Sequence, residues 1–381
     1  TTLISAVILY MISGGLVKGF AVTLVIGLIS SMIGALVVTR VVFMWVVEKG
    51  WLTTVKSRQI IPNTVWDILS KAPAFIIASL VVTAISFATL AIKGKASLGI
   101  DFRGGALVHV ELQDGKKVSE ADLLAATKDL KLADGKDIGT VYAQEKTSQF
   151  GQVWGVRCEF EAGPVVEKAI LTKLGKDAVK GTRVERVGSV IGSEMAKTSL
   201  IALIVALLAI FVYLMFRFEY AFALGAIVAL FHDVLMVPGL CVLFGQELSV
   251  IHVGALLTIA GYSINDTIVV FDRIREVIQS GRKESMRSLM NDAICKTLSR
   301  TLLTGPTALA PMVALLFMGN PAMIEFALPI VIGVLLGTYS SIFIASPLVL
   351  WYAERSGTSI EQEVLEAHER KQKMEAALRQ A

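Results

Sequence analysis

Residues 261–276 read GYSINDTIVVFDRIRE, an apolar stretch that ends in a cluster of charge. Asp266 lies inside the apolar part, about two helical turns before the first cationic residue, Arg273. This spacing places the carboxylate within a bilayer rather than at its surface. A charged side chain at that depth costs about 2.5–3.5 kcal/mol on insertion scales. Such residues are typically retained for ion movement or for pairing with another charge, so Asp266 is the first candidate functional residue; the alternative is a carboxylate that only braces a helical bundle.

The composition of the whole chain is that of a polytopic membrane protein. Of the 381 residues, 54% are hydrophobic and 18% are charged, and a typical soluble domain carries about 25% charged residues. Apolar runs that approach or exceed the roughly 20 residues of a membrane-spanning helix recur along the sequence. They lie at 16–38, 74–92, 200–216, 221–244, 250–271, 301–318 and 326–352. A shorter apolar run, 1–12, precedes a Ser-Gly-Gly turn at 13–15.

Enzyme, cofactor and metal chemistry have no sequence support. The chain contains no P-loop, nucleophile elbow or dinucleotide fingerprint. Its cysteines and histidines are too few and too scattered for a disulfide framework or a ligand-spaced metal site. They are Cys158, Cys241, Cys295, His109, His232, His252 and His368. We therefore expect a protein that is not an enzyme and that binds neither cofactor nor metal.

The polar segment 93–197 predicts a separate domain of about 100 residues, an ordinary domain size. Ser119 is a plausible helix cap, and Pro164 suits the start of a second helix. The segment reads as strands at 106–112, 139–144, 153–161 and 182–187, with helices at 119–130 and 164–174. This βαββαβ order is that of a ferredoxin-like split unit. Proteins with this fold have many different functions, so the fold by itself does not indicate a function.

Clusters of positive charge indicate which segments face the cytoplasm. The linker 48–73, the basic loop 272–300 that contains Cys295, and the tail 354–381 all carry such clusters. Placing them on the cytoplasmic side gives one consistent count of crossings and puts 93–197 outside the cytoplasmic membrane. A lone Cys158 suits an oxidising compartment, because it has no partner in that domain with which to form a wrong disulfide.

Two segments of the chain match each other at a fixed offset of 306 residues (326 − 20 = 306). The most specific matches are Phe20 with Phe326, Ala21 with Ala327, Val25 with Val331, Ile26 with Ile332, Gly27 with Gly333 and Trp45 with Trp351. Transporters are often built from repeated halves with sites at the repeat interface. The counterpart of Asp266 would lie upstream of Thr1 (266 − 306 = −40). The chain also begins in apolar sequence without an initiator Met, so we interpret it as the end of one half plus a complete second half.

Arg300 is the predicted partner of Asp266. Asp266 lies near the end of its span and Arg300 begins the next span from the same side, so both are within two or three turns of one boundary. A nearby cation favours an ionised carboxylate and desolvation favours a protonated one, so relative motion of the two would switch proton binding. The alternative is that Arg300 only snorkels to the interface.

Other polar residues within spans are secondary candidates. His232 and Asp233 lie mid-span and either relay protons or form a buried bracing pair, since neighbours on a helix do not face one another. Asn265 and Ser263 are candidates for hydrogen bonds between helices. His252 is predicted to be interfacial because it lies near the outer end of its span.

Three motifs resemble the SecD/SecF family of protein-export membrane proteins. The run LGIDFRGG at 98–105 resembles the signature that opens the extracytoplasmic domain of SecF, and residues 261–274 are similar to a motif in the fourth SecF span. The run KGFAVTL at 18–24, followed by Ile26-Gly27, resembles the end of SecD. The resemblance covers almost the whole chain and implies a fused SecD–SecF protein. Its expected parts are 1–47 (last SecD-like spans), 48–73 (cytoplasmic linker), 74–92 (first SecF-like span), 93–197 (extracytoplasmic domain), 198–353 (five-helix SecF-like region) and 354–381 (cytoplasmic tail).

This resemblance implies a function. The family belongs to the resistance-nodulation-division superfamily, whose transmembrane bundle has an internal repeat, and it uses the proton gradient to assist Sec-dependent export in the bacterial inner membrane. The implied partners are the SecYEG channel, the SecA motor, a YajC-type accessory subunit and unfolded exported polypeptides. The family's functional Asp and Arg in SecF match Asp266 and Arg300, whereas its second key carboxylate, on a SecD span, has no match here. Two alternatives are a small-molecule or lipid exporter of the same superfamily, which usually carries larger paired outer domains, and a passive membrane scaffold of a translocase.

Overall fold

The computed structural model describes residues 2–12, 15–52, 66–113, 115–128, 130–132, 134–146, 152–175, 177–319, 321–355 and 360–380. Within these ranges the chain forms a bundle of long apolar helices, with one small α+β domain inserted between two of them. Most of the predicted cytoplasmic linker, 53–65, lies outside the described residues.

The helices that precede the inserted domain form the first part of the bundle. They are α1 (Thr2–Ile12), α2 (Gly15–Ile33), α3 (Thr39–Glu48) and α4 (Ala72–Lys93). A π-helical turn over Gly34–Val38 joins α2 to α3, so the two form one long rod. Pro73 occupies the first turn of α4, where its missing N–H costs no hydrogen bond.

The inserted domain has the predicted ferredoxin-like topology. After a short helix α5 (Ile100–Arg103), it comprises β1 (Gly105–Leu112), α6 (Glu120–Thr127), β2 (Tyr142–Lys146), β3 (Val153–Cys158), α7 (Gly163–Leu174) and β4 (Val179–Val187). The strands are antiparallel in the order β2-β3-β1-β4. Every second residue of β1 points into a core that also contains α6 and α7. Ser119 caps α6 as predicted, since its hydroxyl accepts from Asp122 N at 3.2 Å.

Strand β2 begins three residues later than predicted, and β3 ends earlier. The delay in β2 has a backbone cause, because Gly139 has a φ of 74°, a left-handed conformation that a strand does not accommodate. A Cβ at Gly139 would also lie only 2.5 Å from the Glu159 carboxyl group. The chain after Cys158 turns directly into α7 through a bond from Ala162 N to Glu159 O.

The bundle continues with α8 to α14. These are α8 (Ser189–Arg217), α9 (Tyr220–Leu243), α10 (Val250–Gln279), α11 (Met286–Met318), α12 (Pro321–Ser340), α13 (Ser346–Arg355) and α14 (Ile360–Gln380), with a π-helical turn over Ser341–Ala345 between α12 and α13. The described residues contain seven helices long and apolar enough to cross a membrane. Each of the seven predicted spans thus coincides with one of these long apolar helices.

The predicted loop 272–300 is largely helical, which corrects the sequence-based interpretation. Helix α10 continues to Gln279, and α11 already begins at Met286, so Cys295 lies in a helix rather than in a loop. The real connection is short: Gly281 adopts a φ of 67°, and the Ser285 hydroxyl caps α11 by accepting from Ser288 N. The helices run past the apolar spans because no breaker interrupts them before these residues.

The helix boundaries follow the repeat. Helix α1 ends at Ile12 and α11 ends at Met318, an offset of 306, and α2 and α12 begin at Gly15 and Pro321 with the same offset. The two π-helical turns begin at Gly34 and Ser341, one residue from that register. The helix bounds that share the offset, and the two π-helical turns that lie within one residue of it, support the internal repeat.

Candidate functional site

Helices α10 and α12 approach each other closely because glycine faces the contact. A Cβ on Gly333 would lie 2.4 Å from Ile259, and a Cβ on Gly337 would lie 2.9 Å from the Ser263 Cβ. Gly333 and Gly337 have the GxxxG spacing by which membrane helices pack backbone to backbone. We call this contact the α10/α12 seam; polar side chains along it are held within hydrogen-bonding distance.

Asp266 lies on the α10/α12 seam and is half-buried. Thr338 Oγ1 on α12 donates a hydrogen bond of 3.3 Å to its Oδ2. An ionised carboxylate offers about four acceptor positions. In the described part of the chain, Thr338 is the hydrogen-bond partner of Asp266, so most of its acceptor capacity is unused.

Arg300 lies on α11, which packs against both α10 and α12. Its side chain is exposed, and its backbone carbonyl accepts from Thr304 Oγ1 at 3.1 Å. No Asp266–Arg300 ion pair within 4.0 Å occurs among the described residues. The structure thus places the two predicted partners on packed helices without a direct bond between them.

Asp233 is fully buried on α9 and has three hydrogen-bond partners. Ser263 Oγ on α10 and Ser340 Oγ on α12 donate to its Oδ2 at 2.6 and 2.7 Å. His232 Nδ1 lies 2.9 Å from its Oδ1, so the expectation that these neighbours do not meet is wrong. The other ring nitrogen of His232 bonds Ser79 on α4. This network joins four helices, which is what a buried carboxylate needs to be tolerated.

Two other candidate residues, Asn265 and His252, do not have the environments predicted for them. Asn265 is exposed and makes no side-chain hydrogen bond with the described residues, so it does not join helices here, whereas Ser263 does. His252 is buried, with 3% of its surface exposed, and is not interfacial. Its two ring nitrogens lie 3.1 Å from Ser249 Oγ and 3.0 Å from Gln246 Oε1.

Sequence reasoning missed Glu325, which receives a 2.6 Å hydrogen bond from Ser249 Oγ beside His252. Glu325 is the single acidic residue between 319 and 353, and that isolation in an apolar run was the available signal. It also missed Thr338 and Ser340, because a lone hydroxyl in an apolar helix has no pattern that distinguishes it.

The charged end of α10 forms ion pairs with its neighbours. Arg275 bonds Glu219 at 2.9 Å, and Asp272 lies 3.4 Å from Arg217 at the end of α8. Both Asp272 and Arg217 are more than two-fifths exposed, so their pair contributes little. The described residues contain no group of three or more His, Cys, Asp or Glu side chains placed to hold a metal ion.

Comparison with known proteins identifies the family. The model of the family described as protein export membrane protein SecD/SecF, C-terminal, matches residues 166–355. The protein translocase subunit SecF of Thermodesulfovibrio yellowstonii is 37% identical over 268 residues, which cover 69% of this chain and 86% of that protein. The chain belongs to the SecF family. Its role is therefore in Sec protein translocation, and its apolar helices make it a multi-pass membrane protein.

SecDF proteins match both the SecF-like part of this chain and the helices that precede it. The SecDF subunit of Thermus thermophilus is 33% identical over 357 residues, 93% of this chain and 47% of that protein. The crystal structure of SecDF from the same organism has a TM-score of 0.81 at 31% identity, again covering 93% of this chain and 47% of that one. A SecDF structure in a super-membrane-facing form has a TM-score of 0.68 at 30% identity, covering 97% of this chain and 48% of that one. The chain thus spans about half the length of the SecDF relatives it matches.

Proposed function

We propose that this chain is a proton-driven part of the Sec export machinery, in which Asp266 and Arg300 form the proton switch. The protein assists the passage of unfolded polypeptides across the inner membrane and carries out no enzymatic reaction. Residues 1–47 correspond to the end of a SecD-like half, which the matching helix boundaries at the 306 offset support.

The observation that carries this proposal is the contrast between two intramembrane carboxylates. Asp233 is fully buried and has three partners at 2.6–2.9 Å, so it is braced. Asp266 is half-buried and has one hydroxyl partner, at 3.3 Å. It forms no ion pair with its cationic neighbour Arg300 among the described residues. A carboxylate with so few fixed partners is the one whose charge can change without breaking the bundle.

The switch works through the opposed effects of burial and charge. When Arg300 approaches, its guanidinium favours the ionised carboxylate; when Arg300 withdraws, the low dielectric favours the protonated form. Movement of α11 against the α10/α12 seam therefore loads and releases a proton at Asp266.

The inserted domain lies on the extracytoplasmic side in this proposal and contacts the emerging polypeptide. The partners are the SecYEG channel, the SecA motor and a YajC-type subunit. Supporting this arrangement, the basic segments around Arg287, Lys296 and Arg370 lie at the opposite end of the spans from the inserted domain in the sequence-derived topology. Deleting 93–197 should spare membrane insertion and abolish export assistance.

The deciding experiment measures folding and proton-dependent export in the same preparations. Asp266→Asn keeps shape and hydrogen bonding but cannot ionise, so it should insert and fold normally while export no longer responds to the proton gradient. Asp272→Asn is the matched control, because it removes an exposed carboxylate from the same helix. A well-folded Asp266→Asn protein that still exports in response to the gradient would eliminate the switch.

A further inference from the structure

The inserted domain is bonded to the connection between α9 and α10. Leu98 forms a parallel β-bridge with Leu248. Gly99 N donates to Leu248 O at 2.9 Å, and Leu248 N donates to Ser97 O at 2.7 Å. Gln144 on β2 also donates through its side chain to the Gly245 carbonyl. The short connection that leads into α10 is thus held by the backbone and by β2 of the domain.

One buried arginine ties both sides of this bridge. Arg157 on β3 has a side chain that is 7% exposed, and its NH1 lies 2.9 Å from Glu247 Oε1 and 2.9 Å from Leu98 O. Glu247 precedes the bridging residue Leu248, so a single guanidinium contacts both strands. A buried pair of this kind is expensive to break, because removing one partner leaves the other charge uncompensated.

The signature run at 98–105 supplies the link to α10 itself. Asp101 Oδ2 accepts a hydrogen bond of 3.2 Å from Val250 N, the first residue of α10. A carboxylate at this position satisfies an otherwise orphan N–H and complements the helix dipole. Gly104 has a φ of 77°, and a Cβ there would lie 2.6 Å from Ser189 Cα, so the same run is pressed against the start of α8. The motif is a structural connection between the domain and two spans.

Helix α10 can carry a displacement from this connection to Asp266. Proline interrupts α9, α11 and α12, at Pro238, at Pro306 and Pro311, and at Pro329, but α10 contains none over its 30 residues. Asp266 lies 16 residues after Val250 on this uninterrupted helix, about 24 Å along its axis. A helix without proline or a bulge lacks the usual causes of a kink, so a shift at its start is passed along it to Asp266, together with α9 and α12, which Asp233 fastens to α10 at Ser263.

We propose that residues 97–101, Arg157 and residues 245–250, together called the joint, position α10 so that movement of the inserted domain moves Asp266 relative to α11. Asp101 and Arg157 are positioning residues in this scheme, since they act through α10 and contact neither proton nor polypeptide. The inference rests on the proposed function. It states that the domain and α10 shift as one body. If the joint only anchored the domain, the domain would move while α10 stayed still.

The test uses proteoliposomes containing the intact protein and measures proton flux with and without a reduced, carboxymethylated polypeptide that cannot fold. The readout is the ratio of stimulated to basal flux, with Asp266→Asn as the zero-flux reference. Allosteric couplings typically amount to about 5- to 150-fold. Asp101→Ala and Arg157→Met should lower this ratio to about one. Arg103→Ala is the matched control, because its guanidinium lies in the same run but, among the described residues, its hydrogen bond goes to the Lys95 carbonyl, at 3.5 Å, and not to the joint; it should retain the wild-type ratio.

A second variant keeps the inference falsifiable if those substitutions prevent folding. Leu98→Cys with Leu248→Cys, in a Cys158→Ala, Cys241→Ala, Cys295→Ala background, places two thiols on directly bridged positions that a disulfide can span. Two parts that move as one body tolerate a cross-link, so the oxidised protein should keep the stimulation ratio of its own reduced form. Loss of stimulation on oxidation, retained stimulation in a folded Asp101→Ala protein, or absence of stimulation in the wild type would each overturn the joint. If instead flux in the wild type does not depend on Asp266, the proposed function fails.

Discussion

Ser340 on α12 donates a hydrogen bond of 2.7 Å to Oδ2 of Asp233 on α9. Ser263 on α10 donates to the same oxygen at 2.6 Å, so one carboxylate fastens three helices to each other. No comparable bond joins α10 to α11 at Asp266 among the described residues. The bundle therefore has a fastened part, α9, α10 and α12, and a part, α11, whose contact with Asp266 is free to change. Proton switching at Asp266 requires such a division.

Asp233→Ala should destabilise the bundle. The substitution leaves the hydroxyls of Ser263 and Ser340 and the imidazole of His232 without their acceptor, and each buried unsatisfied group costs about 1–3 kcal/mol. Thermal unfolding in detergent should show a clear loss, whereas the exposed control Asp272→Ala should unfold near the wild-type temperature. The opposite pattern, an unchanged unfolding temperature with lost proton flux, would make His232 and Asp233 a proton relay rather than a brace.

Gly333→Ala should weaken the α10/α12 seam. Its Cβ would meet Ile259 at 2.4 Å, and overpacking of this kind typically costs about 1–3 kcal/mol. The repeat provides the control, since Gly27 occupies the equivalent position and a Cβ there has nothing within 4 Å. Thermal unfolding of this chain should therefore distinguish Gly333→Ala from Gly27→Ala. Adding Ile259→Ala should recover part of the loss; equal effects at both glycines would contradict the close contact.

The described fold was largely predictable because its main signals are local. Span length and apolar content identified seven helices, and strand alternation identified the ferredoxin-like order. The predicted element boundaries were wrong where a single backbone conformation or cap decides them. Gly139 delays the start of β2, and the cap at Ser285 starts α11 inside a segment that its charge indicated to be a loop.

The candidate site was predictable only where a charge stood alone in apolar sequence. Asp266 and Asp233 were found in that way, and Arg300 followed from the order of the spans. Which hydroxyls reach them depends on which helix faces adjoin, and sequence position does not contain that information. His252 shows the same limit, because Ser249, Gln246 and Glu325 bury it where its place in the span alone indicated an interface.

Cys158 should be slow to alkylate in the folded protein. Burial, with a smaller effect of Glu159, raises the pKa of its thiol to about 11. The thiolate is the reactive form, so at pH 8 the rate should be about 10²-fold below that of a free cysteine with a pKa of about 8.5. It should rise about tenfold per pH unit until the pH reaches that raised pKa.

The measurement for Cys158 uses a Cys241→Ala, Cys295→Ala background, so that one thiol is labelled. The same protein in denaturant is the control and should react at the free-cysteine rate. Native labelling at that rate would show that the thiol is not held in the core of the inserted domain.

The joint should become more stable as the pH falls from neutral, whereas the stabilising contribution of Glu185 on β4 should change in the opposite direction. Burial raises the pKa of both Asp101 and Glu247, although the Val250 amide and the Arg157 guanidinium respectively oppose this. A carboxyl group whose pKa is raised by folding contributes to the stability of the folded protein. This contribution is fully present below the ordinary pKa, about 3.9 for Asp and 4.3 for Glu, and is lost as the pH rises through the pKa of the folded state. Glu185 on β4 has the reverse sign, since the neighbouring His109 imidazole, whose Nε2 lies 3.8 Å from its Oε1, lowers its pKa; its contribution is present above the ordinary value and is lost as the pH falls through the lowered one. Protection factors for exchange of the Leu248 and Val250 amides should thus be higher at pH 5 than at pH 7, and Glu247→Gln should reduce the difference. Glu185→Gln should also reduce it, because the charge of Glu185 contributes to the raised pKa of Asp101. Lower protection at pH 5 in the wild type would mean that the ionised Arg157–Glu247 pair, rather than relief of buried charge, dominates the joint.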